Sequence, residues 1–300
     1  MFHIFKNRLE LEGTLTTVTA LRISQGRSNE PTDPDLPVVK DFLGQPLIPG
    51  SSFKGALRSR LESFLRGINP TLANDPAELV SREFSEQVKV IKANAEDDAA
   101  LSEALDGITD AASKVFGSPW QASKLQVRDL TVKKDTWFGQ YQERDGVSID
   151  RDTETAADGR LYDFQVVPAG VQFDFKAIFE NADPITFDDP TTGEPDTSYW
   201  ELGLLSLGLR QLQLQQIPLG GGNSRGLGVV QLDIDRVMWI DPEDDPAALL
   251  KYMQDLSNGD LSDYERSMEF FEAVRNDWTL ALMSYLARAT PASETAPVEA

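Results

Sequence analysis

Five glycines fall within nine residues at positions 220–228, and an apolar, β-type run over 229–237 follows at once. Glycine lacks a Cβ and enters positive φ readily, so this stretch reads as a tight turn feeding a strand. Such a turn brings backbone N–H groups within reach of an anion. Inside it, Asn223, Ser224 and Arg225 add polar side chains and one planar fork of donors. The simpler alternative is a surface turn that happens to carry an arginine. A nucleotide-hydrolysing loop is excluded, because the Lys-Ser/Thr ending is missing and a strand, not a helix, comes next.

A second stretch, Ile48-Pro49-Gly50-Ser51-Ser52-Phe53-Lys54-Gly55, has the form of a turn opening a helix. Ser51 and Ser52 are candidate N-caps, and Phe53, Leu57, Leu61 and Phe64 share one face of a helix reaching residue 66. Lys54 and Arg58 stand in its opening turns, where a cation opposes the macrodipole. That placement makes sense if a phosphate sits between them. The alternative is an amphipathic helix with solvated cations. The phosphate reading predicts that Lys54 and Arg225, far apart in sequence, meet in one cradle.

Between and around these stretches, β-branched and alternating runs predict strands over 11–23, 125–132 and 170–179, and leucine spacing predicts a helix over 199–215. With the helix at 51–66 and the strand after the glycines, the order is β, α, β, β, α, β. That order spells an α+β, ferredoxin-like (RRM-like) fold. With 300 residues and 40% hydrophobic content the chain can bury one large core. We expect a single domain over 1–290, with a helical insertion at 69–114, an excursion at 134–165 and helices within 241–290. The acidic tail at 291–300 is expected to be disordered.

The formal charge is −21, which argues against a nucleic-acid-binding role for the surface as a whole. The acidic residues concentrate in 94–110, 181–196, 241–263 and the tail, whereas 40–66 carries a local cationic excess, so a polarised molecule is expected. With no cysteine and with His3 as the sole histidine, thiolate sites, Ser-His-Asp triads and two-histidine metal sites are excluded. No run is long and apolar enough for a signal peptide or a membrane span, and a cytoplasmic location is expected.

In order along the chain stand Asp35-Leu36-Pro37-Val38-Val39-Lys40-Asp41, the Pro-Gly-Ser-Ser stretch, Val115-Phe116-Gly117, Ile149-Asp150-Arg151-Asp152-Thr153 and the glycine-rich loop. This ordered series resembles the RAMP superfamily of CRISPR-associated proteins, and more narrowly the repeated backbone subunit of type III CRISPR effector complexes. The resemblance implies a guide RNA (crRNA) gripped along its phosphates by Ser51, Ser52, Lys54, Arg58, Gly221, Asn223, Ser224 and Arg225. It also implies a thumb β-hairpin over 141–163, with Ile149, Arg151 and Thr153 as contacts, that pushes between guide and target RNA. Cleavage of complementary target RNA would fall to Asp35, or to Asp33 in its place. The adjacent 2′-hydroxyl would be the nucleophile, and a divalent metal, Mg2+, would be held at Asp35. Two alternatives stay open: a non-catalytic guide-binding subunit, and a guide-processing endoribonuclease, which the presence of a single histidine, His3, disfavours. Other type III effector subunits are the expected protein partners.

Overall fold

The computed structural model describes residues 4–27, 34–149, 156–190, 192–243 and 245–289. Asp33, Arg151, Thr153, His3 and the tail at 291–300 lie outside these described residues.

The central strand comes first. In β1 (Arg8–Thr17), Leu9, Leu11 and Leu15 are fully buried and alternate with Glu10, Glu12 and Thr14 on the other face. A short β2 (Leu47–Ile48) leads into α1 (Gly50–Ile68), which buries Phe53, Leu57, Leu61 and Leu65, each four residues after the last. The polar stretch that follows folds as α2 (Pro76–Leu79), α3 (Arg82–Asn94), α4 (Asp98–Gly107) and α5 (Ala111–Phe116). Each starts behind an Asp or Ser, namely Asp75, Ser81, Asp97 and Asp110, whose side chain accepts a backbone N–H of the first turn. Then come β3 (Leu125–Val127), β4 (Leu130–Thr131) and a hairpin of β5 (Gln142–Ile149) with β6 (Ala156–Val166). After β7 (Gln172–Glu180), a second hairpin of β8 (Ile185–Asp188) and β9 (Pro195–Ser198) precedes α6 (Trp200–Gln213). The chain finishes with β10 (Val230–Ile240), α7 (Pro246–Asn258), β11 (Glu265–Arg266) and α8 (Met268–Ala289).

Five strands form one sheet in the order β11-β10-β1-β7-β3, with every neighbouring pair antiparallel. The fold is thus mixed α and β, with α1 and α6 packed on one face of the sheet. Phe173, Phe175 and Phe179 of β7 meet that helical layer, and the Phe53 and Phe175 rings lie 5.2 Å apart. The opposite face is charged on its central strands, where Lys176 pairs with Glu10 and Glu12, and Arg236 with Glu12 and Glu265. Beside the helical layer, buried Lys124 bonds Glu201 at 2.8 Å and Asp183 at 2.7 Å. Burial raises Asp183, but Lys124 and then Lys6 outweigh it and hold the carboxyl down to about 2.

Several predicted boundaries shift for identifiable reasons. The first strand stops at Thr17, not at 23, because its partners begin there, β7 at Gln172 and β10 at Val230. Beyond that point Val18 and Thr19 both donate to the Val229 carbonyl and the chain bends. The strand predicted over 125–132 breaks into β3 and β4, since the chain changes partner from β7 to β2 around Arg128 and Asp129. The helices expected within 241–290 are α7 and α8, separated by a short 3-10 turn and β11.

Candidate nucleic-acid interface

The glycine-rich loop lies at the end of the sheet where β1 stops and β10 starts. Gly220, at φ +72°, presses against main chain: a Cβ there would stand 2.1 Å from the Arg22 carbonyl oxygen. The next residue, Gly221, donates its N–H to that same oxygen at 2.8 Å. Gly222 is left-handed (φ 84°, ψ 19°) and is followed by a right-handed 3-10 turn over Asn223–Arg225. A left-handed residue followed by a right-handed one turns successive N–H groups to one side, forming an anion-binding concavity. Here those groups belong to Gly222, Asn223 and Ser224, and none meets an acceptor among the described residues. Arg225, Gly226 and Leu227 close the turn behind them by donating to Gly222 and Asn223 carbonyls.

Two guanidiniums flank the concavity. Arg225 is exposed and donates through one terminal nitrogen to the Tyr162 hydroxyl at 3.2 Å, which holds that phenol below its usual range. The Arg22 guanidinium stacks 4.6 Å over the Phe164 ring. Neither arginine pairs with a carboxylate among the described residues. Beneath them Ala20, Phe164, Val166 and Leu227 form a small apolar cluster edged by Leu36 and Tyr162. The glycine-rich loop and the base of the β5–β6 hairpin are therefore one packed unit. The hairpin occupies the excursion that the sequence marked out, and Ile149 ends β5 opposite Ala156.

Asp35 belongs to this unit. Leu36 runs parallel to β6, donating to the Asp163 carbonyl at 3.2 Å and accepting from the Gln165 N–H at 3.1 Å. That register sets Asp35, half-buried, beside Asp163, the residue after Tyr162. Among the described residues no group of three or more Asp, Glu or His could hold a metal ion. The donor set at Asp35 fits only a Mg2+ that takes most of its ligands from water and RNA phosphate.

The start of α1 differs from expectation. Pro49, not a serine, occupies the N-cap position, so Ser51 and Ser52 fall within the first turn, and the Gly50 N–H is taken by Asp129 Oδ1 at 2.8 Å. Lys54 and Arg58 do not frame the helix end. Lys54 Nζ bonds Ser123 Oγ at 2.5 Å and the Leu125 carbonyl at 3.0 Å, while Arg58 bonds Glu62 at 2.6 Å and the Gly117 carbonyl at 3.1 Å. Burial, and then the neighbouring Arg58, push Lys54 down to about 8. Farther along α1, Arg60 bonds Gln211 and Arg66 bonds Glu62. The cationic excess of 40–66 is thus largely engaged in holding α1 to β3, α5 and α6. Main-chain hydrogen bonds from Gly221 to Arg22, Val39 to Ile23 and Leu47 to Val39 link the loop to β2, but α1 starts against Val127 and Arg128, opposite the middle of β7. With Lys54 on Ser123 and Leu125 and Arg225 on Tyr162, the two cations do not meet in one cradle.

A family model described as the RAMP superfamily matches residues 14–231, from the middle of β1 into β10. The chain belongs to the RAMP superfamily. Membership points to a CRISPR-associated RNA-binding subunit, and the matched span takes in the glycine-rich loop, the hairpin and Asp35. No curated protein matches the chain. Among the described residues no helix is long and apolar enough to cross a membrane. A cavity of about 630 Å3 lies at the opposite end of the sheet, between α4 and residues such as Lys6, Lys124 and Asp183. The glycine-rich loop does not line it. Sequence reasoning missed Arg22, Tyr162 and Phe164; the alternation of Tyr162 and Phe164 within the excursion was the available signal.

Proposed function

We propose that this RAMP protein is the guide-RNA-binding backbone subunit of a type III CRISPR effector complex, built on a ferredoxin-like core. The core reading is supported by the element order β1, α1, β3, β7, α6, β10 and by the lateral order β10-β1-β7-β3, in which the first and third of these strands lie in the middle. The observation that carries the RNA reading is the open set of N–H groups at Gly222, Asn223 and Ser224, flanked by Arg22 and Arg225. In this reading a guide phosphate seats on those three N–H groups. Arg225 exchanges its single bond to neutral Tyr162 for a bidentate contact with the phosphate, and Asn223 and Ser224 contribute their side chains.

The face of the sheet away from α1 and α6 offers Glu10, Glu12 and Lys176 in place of stacking aromatics, which favours gripping the backbone over reading bases. Sequence would then be selected by base pairing, as in other RNA-guided systems. The hairpin, pinned at its base to the loop, would rise between guide and target RNA, with Ile149, Arg151 and Thr153 as the candidate contacts. Of the α1 residues, Ser51 and Ser52 remain candidate contacts, whereas Lys54 and Arg58 act on RNA only by releasing partners they already have.

Asp35 stands beside the base of that hairpin, where target RNA would be splayed. There it would assist attack of a 2′-hydroxyl oxygen on the adjacent phosphorus, accepting the hydroxyl proton as the bond to the 5′-oxygen breaks and a 2′,3′-cyclic phosphate forms. In its other role Asp35, with Asp163 in register beside it, would instead hold a Mg2+, which would supply charge neutralisation at the scissile phosphate. The test is Asp35→Ala in the assembled complex supplied with complementary RNA and Mg2+. Loss of the cuts opposite this subunit, with target binding kept, supports catalysis; unchanged cutting assigns the subunit a structural role alone.

A further inference from the structure

The acidic segment 241–263 holds six aspartates and one glutamate against a single lysine, yet the helix at its centre carries an uncharged flank. In α7, Pro246, Leu249, Leu250, Met253 and Leu256 recur at three- and four-residue spacing, so they fall on one side of the helix. Of these, Leu250, Met253 and Leu256 are 66%, 56% and 52% exposed. Single exposed leucines are ordinary in a folded protein, whereas a contiguous apolar stripe marks a contact surface.

The helix itself is firmly held. Its buried side sets Tyr252 against Met238 and Ile240, with the Phe5 and Tyr252 rings stacked at 5.7 Å. Its opposite flank is tied to the turn that follows it: Lys251 Nζ bonds Asp263 at 2.7 Å and lies 3.5 Å from Asp255, which accepts the Tyr264 hydroxyl at 2.9 Å. Lys251, the one cation of the segment, is thus already neutralised. The apolar flank is presented by an anchored helix, with Glu243 exposed before its first turn and Asp260 exposed after its last.

We propose that this flank of α7 docks a basic amphipathic helix of a partner protein, which lays apolar residues on Leu250, Met253 and Leu256 and sets lysine or arginine side chains toward the acids at the two ends of α7. Shape favours a helix, since a stripe running roughly 20 Å along one helix is matched by the ridge of another. Charge selects its sign. RNA is repelled by such a segment, as is an anionic lipid surface. A second copy of this chain brings a net charge of −21, and the cations of its 40–66 stretch are largely engaged around α1. Residues 290–300 hold two glutamates and no cation. A cationic helix complements both the stripe and the acids beside it. The proposal goes beyond the RNA reading and does not depend on the glycine-rich loop.

The test follows, by fluorescence anisotropy, a labelled peptide of leucine and lysine, ~15 residues long, with leucines at i, i+3, i+4 and i+7. Two controls go beside it: a scrambled peptide of the same composition, and the patterned peptide with glutamate in place of lysine. The full chain is compared with Leu250→Gln/Met253→Gln, whose glutamines keep helix propensity at exposed positions, so that its melting temperature should equal the parent's. The expected result is that the parent binds the patterned basic peptide ~10-fold or more tighter than either control, and that the variant loses this preference. Equal binding of the patterned and scrambled basic peptides by the parent reduces the attraction to bulk charge and overturns the proposal without recourse to any variant. Equal binding of the basic and acidic patterned peptides, no binding of the basic one, or a preference kept in the variant overturns it as well. A dimer of the parent that the variant does not form, read by sedimentation, assigns the flank to a second copy and overturns the basic partner.

Discussion

Two neighbouring glycines of the glycine-rich loop separate what holds the loop from what it is proposed to hold. Alanine at position 220 would place its Cβ 2.1 Å from the Arg22 carbonyl oxygen, where contacts under 3.0 Å are essentially never seen, and would keep φ at +72°. A left-handed non-glycine residue costs about 1–2 kcal/mol, and pushing the strands apart forfeits the Gly221 to Arg22 hydrogen bond, about 1 kcal/mol more. Gly220→Ala should therefore lose about 2–3 kcal/mol. At ~2 °C per kcal/mol for a chain of this length, its melting temperature falls by about 4–6 °C. At position 221 a Cβ would meet nothing within 4 Å and φ is not positive, so Gly221→Ala should melt like the unaltered chain. Residue 221 directly precedes the open N–H groups of Gly222, Asn223 and Ser224, so if a phosphate seats on them an added methyl group should weaken binding of single-stranded RNA ~10-fold. Thermal unfolding followed by circular dichroism, with fluorescence anisotropy for RNA, reads both quantities. Were Gly220→Ala as stable as the parent, the close approach to Arg22 would be refuted; were Gly221→Ala to bind RNA as well as the parent, no phosphate is seated on this loop.

Removing Lys124 leaves Glu201, 1% exposed, as an unpaired buried charge, so Lys124→Met should cost about 3–5 kcal/mol, and adding Glu201→Leu should recover most of it in urea unfolding. Burial, with Arg58 adding to it, lowers Lys54 to about 8 from an ordinary 10.5. Between those values the unfolded chain binds more protons than the folded one, so this residue's penalty is complete below pH 8 and fades as pH rises toward 10.5. The melting temperature of Lys54→Met minus that of the parent should accordingly fall between pH 8 and pH 10; a constant difference would contradict the burial.

The elements of the sheet were largely legible in the sequence, and the residues at the candidate site less so. The run over 170–179 and the leucine-rich helix announce β7 and α6 through period alone, and the glycines announce a turn because no other residue suits the conformations of Gly220 and Gly222. Strand ends were not legible, since β1 stops where its neighbours start, a fact of pairing rather than of the residues Val18 and Thr19. The cations of α1 misled for a related reason. A lysine near a helix start looks the same in sequence whether it faces a phosphate or, like Lys54, the hydroxyl of Ser123 and a strand carbonyl. Arg22 and Tyr162 escaped notice because each lies within an ordinary β-type run. The Gly221 to Arg22 hydrogen bond and the packing of Leu227 on Phe164 and Val166 bring them to the loop.

The central claim is that RNA phosphate sits on the glycine-rich loop between Arg22 and Arg225, and the salt dependence of single-stranded RNA binding measures it most directly. For single strands the slope of log K against log salt is about −0.7 per phosphate contact. The Arg22→Ala/Arg225→Ala variant should bind more weakly than the parent, with a slope shallower by ~1.4 and an unchanged melting temperature. Identical slopes for variant and parent would contradict the account.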